Sequence, residues 1–151
     1  MAIENISTAV AAILVSGLPI SQSTIAQGIQ HASLQGRFEI RQIQNKTVIF
    51  DAGHNPHGVE FLLNQLRKFL KYNKQYTEVV SVFSMLADKD VKSVTELLKD
   101  SIQMWKIAAL TVPRAAPIEQ LDQALQGQHV QHFDSVKLAF KSALDETKNN
   151  Q

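Results

Sequence analysis

The chain has 151 residues, 44% of them hydrophobic and 19% charged, with a formal net charge of +1. This balance reads as an ordinary soluble globular protein with room for one sizeable core, and it gives no electrostatic ground for binding nucleic acid or a membrane surface. Cysteine is absent, which excludes disulfides and thiolate metal sites and fits a cytoplasmic location. No basic leader and no long apolar run is present, so neither a signal peptide nor a membrane span is expected.

In chain order, residues 5–16 read as a helix capped near Asn5, ended at Gly17 and buried on most sides. Ser21 or Ser23 caps a second helix through Ile25, Ile29 and Ala32. The pair could be a DNA-binding helix-turn-helix, but Glu4 is its only charged residue and phosphate contacts need Lys or Arg. Phe38, Ile40 and Ile43 mark a strand, and Gln44–Lys46 a turn into a central buried strand, Thr47–Phe50. Asp51 ends that strand. Asn55 suits an N-cap and Pro56 a first helical position, and apolar residues from Val59 to Leu70 follow at helical spacing. Beyond it the pattern predicts a strand over 79–83, a polar loop over Ser84–Asp90 and a helix at about 90–101. A strand from Trp105 to Val112, a helix at about 117–126, a short strand at 130–133 and a final helix capped by Asp134 or Ser135 complete the chain. Trp105, Phe61 and Phe69 read as core.

Strands alternating with helices imply an α/β fold: a mostly parallel, Rossmann-like sheet with helices on both faces, preceded by a helical hairpin. Ligands of such sheets bind at the carboxyl ends of the strands, where Asp51, His54 and His57 fall. The start of the following helix adds free N–H groups suited to an anion. There is no Gly-x-x-x-x-Gly-Lys-Ser/Thr loop and no Gly-x-Gly-x-x-Gly after a strand. Asp51, His54 and His57 could converge on a metal, but no fourth partner is evident, so no metal site is assigned.

The Asp51-Ala52-Gly53-His54-Asn55-Pro56-His57 run resembles the Asp-x-Ala-His-Asn-Pro-His signature of the folylpolyglutamate synthase/dihydrofolate synthases. These are members of the Mur ligase family of ATP-dependent amide ligases. Gly36-Arg37-Phe38 is similar to that family's Pro-Gly-Arg-Phe motif, with Gln35 in place of Pro. Met85-Leu86-Ala87-Asp88-Lys89-Asp90 resembles its Met-Leu-x-Asp-Lys-Asp loop, Pro113-Arg114-Ala115 its Pro-Arg-x stretch, and Asn5-Ile6-Ser7-Thr8-Ala9 its Asn-Ala-Ala-Thr-Ala opening. Gly53 stands where the family has Ala, which widens the φ/ψ range of the loop.

The resemblance implies that residues 1–35 are the helical tail of an ATPase domain. Residues 36–151 are then a Mur ligase C-terminal domain, truncated before its last strand and helix. The implied reaction phosphorylates a carboxylate of dihydropteroate or folate with ATP, and the amine of L-glutamate attacks the acyl phosphate. ATP and Mg2+ would be bound mainly by the ATPase domain, which is the expected protein partner, and the segment alone would be inactive. Arg37 would be catalytic at the γ-phosphate. Asn5, Asp51 and His54 would contact ATP at adenine, ribose and nucleotide, and Lys89 would hold a glutamate carboxylate. The residues by themselves leave other roles open. Arg37 could pair with a surface carboxylate, Asp51 and Asn5 could cap helices, His54 could pack the loop, and Lys89 could be a solvated lysine. A non-catalytic interaction or regulatory module is the competing class. The absent strand should leave a free sheet edge or a gap, and with it self-association.

Overall fold

A computed structural model describes residues 3–32 and 34–147 of the chain. Two helices come first, α1 (Ile3–Val15) and α2 (Gln22–His31), joined through Gly17 at φ +69. Ser21 caps α2, its hydroxyl accepting from the Thr24 amide at 3.1 Å. Because α1 begins at Ile3, Asn5 lies inside its first turn and is not its cap. The expected burial of α1 is also overturned. No described side chain of α1 or α2 is buried, and Leu14, Val15 and Leu18 are exposed. The apolar pattern is real, but α2 shields it only in part, leaving Ile6, Val10 and Ile13 half-buried along the groove between the two helices.

Strands β1 (Glu39–Ile43) and β2 (Lys46–Phe50) form the expected antiparallel hairpin, with Glu39 opposite Phe50 and Ile43 opposite Lys46. Gln44 and Asn45 turn the corner with φ +52 and +61, the two positive values that a two-residue type I′ turn requires. Helix α3 (Pro56–Tyr72) follows, and Asn55 Oδ1 accepts from the Gly58 amide at 2.8 Å. Val59, Leu63 and Leu66 recur every three to four positions and are buried, whereas Phe61 and Phe69, expected in the core, are half-buried at the margins of that stripe.

Next come β3 (Val80–Phe83), α4 (Val91–Leu98) with a 3-10 turn at Lys99–Ser101, β4 (Met104–Ile107), α5 (Ile118–Ala124), β5 (Val130–His132) and α6 (Val136–Glu146). The last three strands form a parallel sheet in the order β3-β4-β5. The strand expected to reach Val112 stops at Ile107, because β5 pairs with β4 only from Trp105 to Ile107. The β2 strand is not central to this sheet: among the described residues its ladder is with β1, in a separate two-stranded sheet. Strand–helix alternation gives direction and crossover but does not fix which strands become neighbours.

Alternation along β4 divides the core. Trp105 and Ile107 point to one face, where Val59 and Leu63 of α3, Val94 and Leu98 of α4 and Leu121 of α5 enclose them. Phe83 meets Trp105 edge-on at 5.5 Å. Lys106 points to the other face, under α6, and is wholly buried. Its ammonium donates to Glu146 Oε2 at 2.7 Å, Ser142 Oγ at 3.0 Å and Gln131 Oε1, and lies 5.3 Å from the Phe133 ring centroid. That bond from Lys106 holds the Glu146 carboxyl below the usual carboxylate range. Lys46, also buried, donates to the Thr147 carbonyl just past α6, where a cation complements the helix dipole. With the Phe50–Phe140 ring contact at 6.0 Å, this ties the hairpin to α6. Buried Ala139 and Ala143 let the helix lie close to the sheet.

Lys106→Ala should cost about 2–3 kcal/mol, since it opens a cavity and takes the ammonium from Gln131 Oε1 and Glu146 Oε2. Lys106→Met keeps the volume and should cost about 1 kcal/mol or less. Urea unfolding midpoints of the two variants check the order, and equal losses would show that the ion pair rather than packing dominates.

Candidate functional site

The loop leaving β2 is built around one carboxylate. Asp51 Oδ1 accepts from the Gly53 amide at 2.6 Å, and Oδ2 accepts from the Phe38 amide at 2.7 Å. The Ala52 amide donates to the Gly36 carbonyl at 2.8 Å. The segment before β1 is thus clipped to the segment after β2. Asp51 does not cap α3; Asn55 does. Gly53 acts here through space rather than conformational range: a Cβ at this position would lie 2.9 Å from Asp51 Oδ1, and its φ is not left-handed.

Arg37 rides on this clipped turn. It is exposed, and among the described residues it pairs with no carboxylate; Nη1 makes only a long 3.4 Å bond to the Gly36 carbonyl. The surface ion pair that would explain it away is therefore absent among the described residues. His54 is exposed, with Nδ1 3.0 Å from the Ala52 carbonyl oxygen of its own loop. No described group of three His, Cys, Asp or Glu could hold a metal ion, Asp51, His54 and His57 included.

A second cluster lies past the ends of β3 and β4. Leu86 bridges Ala115, the Ala87 amide donates to the Arg114 carbonyl at 2.8 Å, and the Ala116 amide donates to the Met85 carbonyl at 2.9 Å. Across this zip Arg114 Nη2 donates to both Asp88 oxygens, at 2.9 and 3.0 Å. The guanidinium holds the Asp88 carboxyl below its usual range. Lys89 Nζ stands 3.5 Å from Asp88 Oδ2, and its side chain retains 30% of its exposure. Asp90 caps α4 through the Ser93 amide at 3.0 Å.

Arg37, Asp51 and His54 thus share one loop assembly. Lys89 belongs to the second, and Asn5 sits exposed on α1, in neither. Sequence reasoning gave Arg114 no role. Its pairing with Asp88, 26 residues away, has no local signal. The grip of Glu39 on the Gly36 amide, at 2.8 Å, also went unread.

Residues 36–151 match the family described as Mur ligase, glutamate ligase domain. The chain belongs to that family. It is 38% identical over 144 residues to the dihydrofolate synthase/folylpolyglutamate synthase of Escherichia coli strain K12, covering 95% of this chain and 32% of the relative. The chain therefore spans about a third of that relative's length. Escherichia coli FolC, solved in complex with DHPP and ADP, superposes with a TM-score of 0.84 at 38% identity, over 97% of this chain and 34% of that one. A bifunctional folylpolyglutamate synthase/dihydrofolate synthase with Mn, AMPPNP and L-glutamate bound gives a TM-score of 0.81 at 33% identity, over 95% and 33%. The second loop assembly follows the carboxyl ends of β3 and β4, the edge where open α/β sheets bind ligands.

Because the Asp88 pKa is lowered, the Asp88–Arg114 clasp is fully present above the ordinary aspartate range. It is lost only as pH falls through the depressed folded value. A carboxyl NMR titration should give Asp88 a midpoint below the usual aspartate one, and Arg114→Ala should return it towards ordinary. A midpoint unmoved by that substitution would refute the clasp.

Proposed function

We propose that the chain is the glutamate- and nucleotide-contacting part of an ATP-dependent amide ligase. The ligase adds L-glutamate to dihydropteroate or folate by way of an acyl phosphate. The observation that carries this reading is Arg37, an unneutralised guanidinium on a fixed turn beside Asp51 and His54. The identity to the Escherichia coli synthase supports it. Residues 1–35 would be the tail of the ATPase domain, whose body would cover the apolar groove between α1 and α2. Ile6, Val10, Ile13, Ile25 and Ile29 line that groove. The chain has no phosphate-cradling loop of its own, so it would be inactive alone, and we assign it no Mg2+ ligand.

In this reading Arg37 stabilises charge that develops on the transferred phosphoryl group. Asp51 uses one bond per oxygen on backbone amides, and a carboxylate has about four acceptor positions, so it can still take ribose hydroxyls. His54 lies against the nucleotide and Asn5 against the adenine. Lys89 holds a glutamate carboxylate as a point charge, sharing Asp88 Oδ2 with the closer Arg114 guanidinium.

In the full-length ligase, Arg37→Ala should lower kcat by about 10²-fold while leaving the KM for ATP within a few fold. Asp51→Ala should raise the KM for ATP and also lower kcat, since it frees the Arg37 turn. Steady-state kinetics with ATP varied, beside a thermal melt, decide the matter; near-normal turnover of Arg37→Ala would overturn the phosphate assignment.

The outer edge of β3, which pairs in no ladder among the described residues, is proposed to support self-association of the isolated chain, because unpaired strand edges template pairing. Sedimentation velocity should show species heavier than the monomer as concentration rises, and a strict monomer at high concentration would refute this.

A further inference from the structure

The turn that carries Arg37 holds one residue, Phe38, in a conformation it would not choose. Gly36 has φ +65, and Phe38 has φ +46, a left-handed value that a bulky aromatic residue rarely adopts. Asp51 Oδ2 holds the Phe38 amide, and the Phe69 ring meets Phe38 edge-on at 6.4 Å. The Gly36 amide is taken by Glu39 Oε2 at 2.8 Å. The other oxygen of Glu39 accepts from Arg41 Nε at 2.7 Å, so the carboxylate is fixed at both ends, with its side chain only 23% exposed. Arg37 lies between these two held residues. The nearest acids in sequence, Glu39 and Asp51, are both engaged by backbone amides, and Glu39 also by Arg41. Neither neutralises Arg37.

We propose that Glu39 is a positioning residue for Arg37. By gripping the Gly36 amide, and by being held off Arg37 through Arg41, it fixes the backbone from which the guanidinium reaches an anionic phosphoryl group. A charged bond to a backbone amide is short and strong, and it reduces the disorder the arginine must lose when it engages. The proposal rests on the reading of Arg37 given above. It extends that reading to a residue touching neither nucleotide nor glutamate.

The test uses the full-length ligase with Glu39→Ala, Glu39→Gln, Arg37→Ala and the Arg37→Ala/Glu39→Ala double variant. Kinetics are read together with amide hydrogen exchange of the segment from Gly36 to Arg41. Glu39→Ala should lower kcat about tenfold with little change in the KM for ATP. Glu39→Gln keeps an acceptor oxygen and should stay within about threefold of the parent. In the Arg37→Ala background the Glu39→Ala change should cause no further loss, because coupled residues are not additive. Exchange in the segment should quicken in Glu39→Ala and not in Glu39→Gln. Unchanged exchange in Glu39→Ala, or an equal kcat loss with Arg37 already removed, would overturn the proposal. Full turnover by Arg37→Ala would overturn it together with the reading of Arg37, and quickened exchange would then still show the grip on Gly36.

Discussion

Both oxygens of the Asp51 carboxylate are engaged by backbone amides, one in its own loop and one across the hairpin. On this pair of bonds depends the geometry of everything at the mouth of β2. Phe38 is held left-handed, the Gly36–Phe38 turn is drawn against Ala52, and the Arg37 side chain is left pointing out of a rigid base. Gly53 belongs to the same constraint, since any Cβ there would press on Asp51 Oδ1. The carboxylate acts as a local organiser whatever else it binds.

The second constraint is the seating of α6. Two buried lysines reach it from below, Lys106 from the parallel sheet and Lys46 from the hairpin, and both end near its C-terminus. Buried charge is costly unless paired, and here each ammonium meets an acceptor at the end of the helix where the dipole favours a cation. The hairpin and the parallel sheet share no ladder, so α6, together with α3 on the opposite face, holds them in register. The two loop assemblies of the site hang from these two sheets, Arg37 and Asp51 from one, Lys89 and Arg114 from the other. Their spacing is therefore set by helices rather than by strand pairing.

The helical hairpin stands apart in character. Its groove is apolar, its outer residues are exposed, and it carries no buried side chain among those described. An exposed apolar surface of this kind is suited to a protein–protein contact.

Local signals were legible. Asn55 before Pro56 with an apolar stripe behind it determined α3 and its cap, because capping and periodicity act within a turn or two. The hairpin, the order of elements and the placing of Asp51, His54 and Arg37 beside a strand end could likewise be read from the residues alone. What the chain could not reveal were contacts between distant positions. That Asp51 grips Phe38 thirteen residues away, that Arg114 pairs with Asp88 beside Lys89, and that Lys106 is buried at all depend on packing. A lysine in Met104–Ile107 has no local reason to be inside; it becomes tolerable only once α6 brings Ser142 and Glu146 over it. Propensity and caps are short-range effects written along the chain. Partner choice, burial and sheet order are decided by which surfaces meet, and those exist only when the chain has folded.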